Sequence, residues 1–118
     1  MSVAEQFNNK IIMQISVQEA FNQLKNVDTP FAELFKHGTL SIEIYQPVGQ
    51  DMQTPHSQDE VYIVISGTGE FINGTQKTRF QPGDCLFVPA GVTHRFVNFS
   101  DDFATWVIFY GPEGGEKT

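Results

Sequence analysis

Tight-turn signals recur along the chain from residue 31 onward and divide it into short segments. The strongest of them is Asn73-Gly74, because both residues tolerate the positive φ angles that a two-residue hairpin turn requires. Pro82-Gly83 and Pro89-Ala90-Gly91 mark two more turns. The segments between turns are rich in valine, isoleucine and phenylalanine: 31–36, 39–45, 60–66, 70–73, 75–80, 85–88, 93–98 and 103–110. Short apolar segments at this spacing predict an all-β protein, a sandwich or a barrel.

One helix is predicted, and it precedes the strands. Ser16 and Glu19 have the spacing of a capping box, in which each side chain bonds the backbone N–H of the other residue. The residues that follow place an apolar face on the helix: Val17, Phe21 and Leu24. Asp28-Thr29-Pro30 ends it, because a residue before proline is disfavoured in the helical conformation.

The predicted organisation is one domain with two short appendages. Residues 1–30 form an N-terminal segment whose helix packs on the barrel, and residues 31–111 form the barrel itself. Residues 112–118 contain two glycines and no large apolar side chain, so we expect a flexible tail.

Charge and composition exclude several classes of partner. The chain has 118 residues and a net charge of −7, from fourteen acidic and seven basic residues, which disfavours binding to nucleic acid or to anionic lipid. No apolar run is long enough for a membrane span, and no secretory signal is apparent. The single cysteine, Cys85, forms no internal disulfide and is predicted to be a small buried hydrophobe. Together these features indicate a cytoplasmic protein.

The residues suited to chemistry are concentrated in two motifs, 55–60 and 89–94. They contain two of the three histidines, His56 and His94, and a carboxylate at the start of an apolar segment, Glu60. Neutral imidazole and carboxylate are ligands for one divalent transition metal: Fe, Mn, Ni, Zn, Co or Cu. In a straight strand His56 and Glu60 would lie about 13 Å apart, so a shared ion requires the chain to bend between them.

The two motifs resemble those of small single-domain cupins. The second is filled without a gap by Gly83, Pro89, Gly91, His94 and Asn98. The first is matched in part by His56, Glu60 and Gly67, but Thr54 stands where the family places its first histidine. The resemblance implies a conserved-barrel jelly roll, also called a double-stranded β-helix, with a metal held in the barrel mouth by His56, Glu60 and His94.

Other side chains are expected near this site. Thr54 and Gln58 are candidates for the missing ligand, while Tyr62 and Phe96 share the strand parity of Glu60 and His94 and are candidates for the pocket wall. Arg95 alternates with His94 and should point away from the pocket, and His37 lies in a turn outside both motifs. No separate general base stands out, so catalytic residues are not assigned.

Two classes of function remain open from the sequence. One is a metal-dependent enzyme acting on a small organic molecule, with dioxygenase, isomerase or lyase chemistry implied by the resemblance and not ranked by it. The other is a binding or sensing module without turnover, which the missing first histidine favours. A metal-free enzyme of the sugar-epimerase kind ranks last, since its base and acid pair is not found. Strands apolar on both faces predict a two-fold homodimer.

Overall fold

The computed structural model describes residues 4–7 and 10–118, with side chains from residue 13 onward. One helix, α1 (Val17–Leu24), and ten strands follow one another in the described chain. The strands are β1 (Ala4–Phe7), β2 (Lys10–Met13), β3 (Phe31–His37), β4 (Leu40–Tyr45), β5 (Asp59–Ser66), β6 (Gly69–Asn73), β7 (Gln76–Phe80), β8 (Cys85–Val88), β9 (His94–Val97) and β10 (Ala104–Tyr110). The predicted all-β jelly roll with a short helix is confirmed.

Two sheets make up the barrel. The larger has the strand order β3-β4-β10-β5-β8 and the smaller has the order β7-β6-β9, with every pair antiparallel. Strands β1 and β2, which the sequence did not predict, form a separate antiparallel pair. Consecutive side chains alternate between the two faces of a strand, and the alternation in β5 turns Glu60, Tyr62 and Val64 inward.

Aromatic rings fill the space between the two sheets. Phe96 of β9 is at the centre, with its ring centroid 4.6 Å from that of Phe71 and 4.6 Å from that of Phe103. Tyr62 of the facing sheet meets Phe96 edge to face at 4.9 Å, an arrangement that aromatic quadrupoles favour. Phe80 completes the group. These contacts fix β5 against β9, the two strands that carry Glu60 and His94.

A second apolar layer lies on the outer face of the large sheet, beneath α1. Ser16 caps the helix as predicted, accepting a hydrogen bond from the Glu19 N–H at 3.0 Å. Ala20 of the helix is fully buried against Ile44 of β4. Trp106 of β10 packs into this layer from the sheet. The helix therefore closes one part of the outer face.

The rest of the outer face is less covered, and the prediction for Cys85 is wrong. Cys85 is exposed because it is on the edge strand β8 and shares the outward face with Phe87, which is 48% exposed. The inward face of β8 instead carries Val88, which is buried.

The homodimer remains a prediction. Among the described residues no helix has the length and apolar character to cross a bilayer.

The first strand connection differs from expectation by one residue, and the C-terminal segment contacts residues at the start of β5. The first turn falls at Gly38-Thr39, one residue later than predicted, because Gly38 has the positive φ, +60°. The flexible tail over residues 112–118 stays a prediction. In the structure the Gly114 N–H donates to the Ser57 carbonyl at 2.7 Å and the Glu116 N–H donates to Asp59 at 2.9 Å. The segment thus lies along the residues that lead into β5.

Gly67 offers a test of the turn between β5 and β6. It has a φ of +83°, and an added Cβ would lie 2.5 Å from the Phe103 Cα and 2.7 Å from the Phe103 N. We expect Gly67→Ala to lower the free energy of unfolding by about 3 kcal/mol, since overpacking adds to the backbone strain. Denaturant titration measures the change. Gly83→Ala is the matched control, because Gly83 has a φ of +89° and no atom within 4 Å of an added Cβ. Its expected loss is about 1 kcal/mol, and equal losses would contradict the prediction.

Candidate metal centre

The fold brings His56, Glu60 and His94 to one point. Glu60 is the second residue of β5 and His94 is the first residue of β9, while His56 lies in the bent segment before β5. The Gly91 N–H donates to the His56 carbonyl at 2.7 Å. That hydrogen bond joins the turn before β9 to the first motif, so the two motifs are held together by backbone as well as by side chains.

The three side chains form a compact cluster. Glu60 Oε1 lies 2.8 Å from His94 Nε2 and 3.1 Å from His56 Nδ1. One ligand atom from each residue lies within 4.8 Å of the other two. Atoms this close can share an ion at bond lengths of about 2 Å after small side-chain rotations.

Two side-chain atoms of the cluster, one on Glu60 and one on His94, are buried without a hydrogen bond. Glu60 is 1% exposed and His94 is 3% exposed, yet Glu60 Oε2 and His94 Nε2 have no hydrogen-bond partner among the described residues. The 2.8 Å approach of Nε2 to Glu60 Oε1 is an electrostatic contact whose angles do not make a hydrogen bond. Buried polar atoms in native proteins are otherwise nearly always paired. Orphaned acceptors of this kind fit a bound cation.

The contact at Nδ1 of the His94 ring leaves Nε2 available to bind a metal. Its Nδ1 lies 2.9 Å from the Val92 carbonyl, which accepts only if Nδ1 carries the proton. In the neutral ring Nε2 then has the free lone pair. A backbone carbonyl that fixes the tautomer in this way is typical of metal-bound histidine.

The pKa values of the buried pair move in opposite directions. Burial favours a lower pKa for His94, but the contact with the Glu60 carboxylate and the hydrogen bond to the Val92 carbonyl outweigh it and raise the pKa above the ordinary 6.5. Burial favours a higher pKa for Glu60, but the contacts with His56 and His94 outweigh it and lower the pKa below the ordinary 4.5. In the metal-free protein each shift therefore favours the charged form of its group.

These directions give a pH prediction with opposite signs for stability and for metal binding. Because the folded-state pKa of His94 is raised, its contribution to the stability of the metal-free protein is complete below about pH 6.5 and is lost as pH rises through the folded-state pKa. Metal must displace the His94 proton, so metal affinity falls as pH is lowered over the same interval. Thermal unfolding of the metal-free protein and zinc titration by calorimetry, each across pH, measure the two trends. Parallel trends would contradict the prediction.

The four further residues predicted near the site occupy different places. Tyr62 is buried with its ring centroid 6.0 Å from that of His94, and its hydroxyl donates to Gln53 Oε1. Phe96 is in the aromatic core. The Gln58 amide nitrogen donates to the carbonyls of Thr39 and Gly111. Gln58 thus fastens the bend before β5 to neighbouring backbone.

Thr54 lies on the wall of a cleft that opens beside the site. The cleft has a volume of 960 Å³ and runs between α1 with the residues after it, strands β4 and β10, and the loop 46–54. His56 lines it and Phe109 of β10 packs on the His56 ring at a centroid distance of 4.8 Å. The His56 side chain is 32% exposed. The cluster is therefore buried on the side of Glu60 and His94 and open on the side of His56.

Sequence reasoning missed Asp51, a buried carboxylate in the loop 46–54. It is 3% exposed and accepts hydrogen bonds from the Tyr45 hydroxyl at 2.6 Å and from the Phe96 N–H at 2.8 Å. It also accepts from the Gln53 N–H and side-chain amide. Through Gln53 and Tyr62 this loop is tied to the cluster. The polar residues around Asp51 in the sequence gave no sign that it is buried. Its hydrogen-bond donor Phe96 is 45 residues away along the chain.

Two more acidic residues were not recognised. Asp59 is 5% exposed and accepts hydrogen bonds from the N–H groups of Ala90 and Glu116. Glu43 of β4 lines the cleft beside the cluster. Burial and the facing Glu33 raise the pKa of Glu43, which His56 lowers in part. Alternation along β4 places Glu43 and Tyr45 on the same face of the strand. A prediction that Tyr45 points inward would therefore have placed Glu43 inward as well.

This chain belongs to the cupin domain family, whose pattern matches residues 41–110. The match covers β4 to β10 and so includes all three residues of the cluster.

Relatives with and without an assigned activity share this region. An uncharacterized protein of Streptomyces coelicolor is 35% identical over 88 residues, covering 73% of this chain and 84% of that protein. The acireductone dioxygenase of Leishmania infantum is 38% identical over an alignment of 82 residues, and the match covers 56% of this chain. The chain spans only 24% of the length of that enzyme. A candidate mannose-6-phosphate isomerase from Ralstonia eutropha has a solved structure that matches with a TM-score of 0.59 at 27% identity, covering 72% of this chain and 93% of that one.

Proposed function

We propose that the protein is a metal-dependent enzyme that acts on a small organic molecule at His56, Glu60 and His94, with divalent iron as the metal and dioxygen as the second substrate. The observation that carries this proposal is the pair of orphaned buried atoms, Glu60 Oε2 and His94 Nε2, beside His56, which lines an open cleft. When bound to two histidines and one carboxylate, iron retains open positions and supplies dioxygen activation.

The surrounding residues have separable tasks in this proposal. Glu60 and His94 form the buried side of the centre, and the Val92 carbonyl holds the His94 ring in the metal-binding tautomer. His56 faces the cleft, so a substrate in the cleft approaches the centre from that side. Phe109 supports the His56 ring and keeps water from that face of the imidazole.

The comparisons favour oxygen chemistry over the alternatives without deciding the substrate. The relative with the higher identity and an assigned activity is, by its name, a dioxygenase. Its match includes little more than half of this chain and a quarter of that enzyme, so the acireductone substrate is not carried over. The structure from Ralstonia eutropha supports the barrel and small-molecule chemistry in general.

The test is the binding of nitric oxide to the iron-loaded protein. Nitric oxide takes an open coordination position and reports it by electron paramagnetic resonance, with no need for a known substrate. We expect near one equivalent of iron by plasma mass spectrometry and a nitrosyl signal of matching intensity. His94→Ala should lose both. Arg95→Ala is the matched control, because Arg95 is the adjacent residue and is exposed on the opposite face of β9.

Two results would overturn the proposal. Failure to bind iron, manganese, nickel or zinc after reconstitution would leave a binding module in its place. Stoichiometric ferrous iron without a nitrosyl signal would mean that no coordination position is open to a diatomic ligand, and the dioxygen part of the proposal would fail.

A further inference from the structure

Within residues 13–118, the most exposed large apolar side chains are concentrated at the cleft. Among residues 13–118, six large apolar side chains are markedly exposed, and four of them line the cleft: Val27, Phe31, Val48 and Met52. Val48 is 86% exposed and Met52 is 75% exposed, both on the loop 46–54. Singly scattered apolar residues are ordinary on a protein surface, whereas a grouped set around a concave site marks a ligand-binding groove.

The loop that carries Val48 and Met52 is held firmly at its base. Asp51 lies between these two residues and is bonded to Tyr45 and Phe96. The exposure of Val48 and Met52 is therefore a consequence of the anchored loop, which directs them towards the cleft instead of allowing them to fold into the core.

The charge of the cleft near the metal centre is negative. Glu43 lines the cleft there and is paired across the sheet with Glu33 of β3. Among residues 13–118 no lysine or arginine forms an ion pair with Glu43. Apart from His56, the only basic residue on the described wall of the cleft is Lys25, which follows the C-terminal end of α1.

We propose that the cleft binds an elongated apolar molecule that carries a cationic amine, with the ammonium group at Glu43 and the apolar part along Phe31, Val48 and Met52. The binding of this molecule does not depend on the proposed function. The inference rests on the proposed function only if the bound molecule is identified as the substrate of the enzyme. An ammonium group at Glu43 would offset the cost of a half-buried carboxylate that faces a second one. A carboxylate ligand at the same place would be repelled by Glu43.

Three probes with one carbon skeleton test the charge preference: phenylpropylamine, phenylpropanol and phenylpropanoate. Titration calorimetry with the metal-free protein measures the affinity of each. We expect the amine to bind on the order of tenfold more tightly than the alcohol, as one partly desolvated charge pair would give. The acid should bind more weakly than the alcohol. Glu43→Gln should bring the amine to the level of the alcohol, while Asp101→Asn, the same change of charge on an exposed turn, should leave the preference intact.

The apolar part of the proposal has its own pair of variants. Phe31→Ser should weaken all three probes by a similar factor. Phe87→Ser is the control, because Phe87 is exposed to a similar extent but lies on the outer face of the sheet, and it should have no effect.

The outcomes separate this inference from the proposed function. Equal affinities, tightest binding of the acid to the metal-free protein, or no detectable binding of any probe would overturn the inference. A preference for the amine in a protein that fails to take up metal would support the inference and refute the proposed function. Repetition with the zinc-loaded protein shows whether a metal alters the order, since a carboxylate that gains affinity only with zinc binds the metal and not the cleft.

Discussion

Replacement of Glu60 by glutamine is expected to abolish tight metal binding while leaving the barrel folded. Glutamine has nearly the same volume, so the packing of β5 is kept, but the negative charge between the two histidines is lost. Loss of outer-shell partners of a metal site already costs about 10-fold to 100-fold in affinity, so loss of a charged ligand should cost at least about 100-fold. Competition titration against a metal chelator measures the change, with circular dichroism to show that the fold persists.

Glu70→Gln is the matched control for this experiment. Glu70 is on β6 of the smaller sheet, where its carboxylate accepts a hydrogen bond from Asn98 and contacts Lys77. We expect metal affinity unchanged in this variant. Wild-type affinity in Glu60→Gln would show that the carboxylate is not a ligand, and equal losses in the two variants would point to overall charge instead of coordination.

Replacement of Asp51 by asparagine is expected to be the most destabilising conservative change in the loop 46–54. One oxygen of Asp51 accepts from the Tyr45 hydroxyl and the Gln53 N–H, and the other accepts from the Phe96 N–H and the Gln53 side chain. In either orientation an asparagine amide would place its NH2 group against a backbone N–H. We expect the free energy of unfolding to fall by about 3 kcal/mol, because donors are left buried without an acceptor.

Asp101→Asn is the control for stability, because Asp101 is exposed in the turn before β10. It should change the free energy of unfolding by less than about 0.5 kcal/mol. Asp51→Asn should also weaken metal binding, since Phe96 is two residues from His94 on β9. Unaltered stability in Asp51→Asn would mean that the loop is not anchored by this carboxylate, and the explanation given for the exposure of Val48 and Met52 would fail with it.

The parts of the fold that local chemistry controls were predictable from the sequence. The turn signal at Asn73-Gly74 predicted the hairpin between β6 and β7 to within one residue. The turn lies at Gly74-Thr75, because Gly74 has the positive φ, +62°, and Asn73 is the last residue of β6. The strands between turns followed with similarly small errors of boundary. The period of two then placed Tyr62 on the same inward face as Glu60. The clustering of His56, Glu60 and His94 was expected from motif spacing, and the structure supplies their separation and burial.

The parts that depend on contacts between distant residues were not predictable. Asp51 and Asp59 are each polar residues in turn-like sequence, and their burial comes from N–H groups contributed by residues 96, 90 and 116. Cys85 appeared suited to a core, but which strand forms the edge of a sheet is a property of the whole topology. The sequence of a single strand contains little information about which distant strand it pairs with.

The position of Trp106 has a practical consequence for optical studies. It is the only tryptophan of the chain and packs in the layer beneath α1, on the outer face of the large sheet. Two of the three tyrosines, Tyr45 and Tyr62, are instead on the inner face. Emission from the indole should therefore follow detachment of the helix, and tyrosine absorbance should follow events inside the barrel. A single sample can thus report the two layers at separate wavelengths without an added fluorophore.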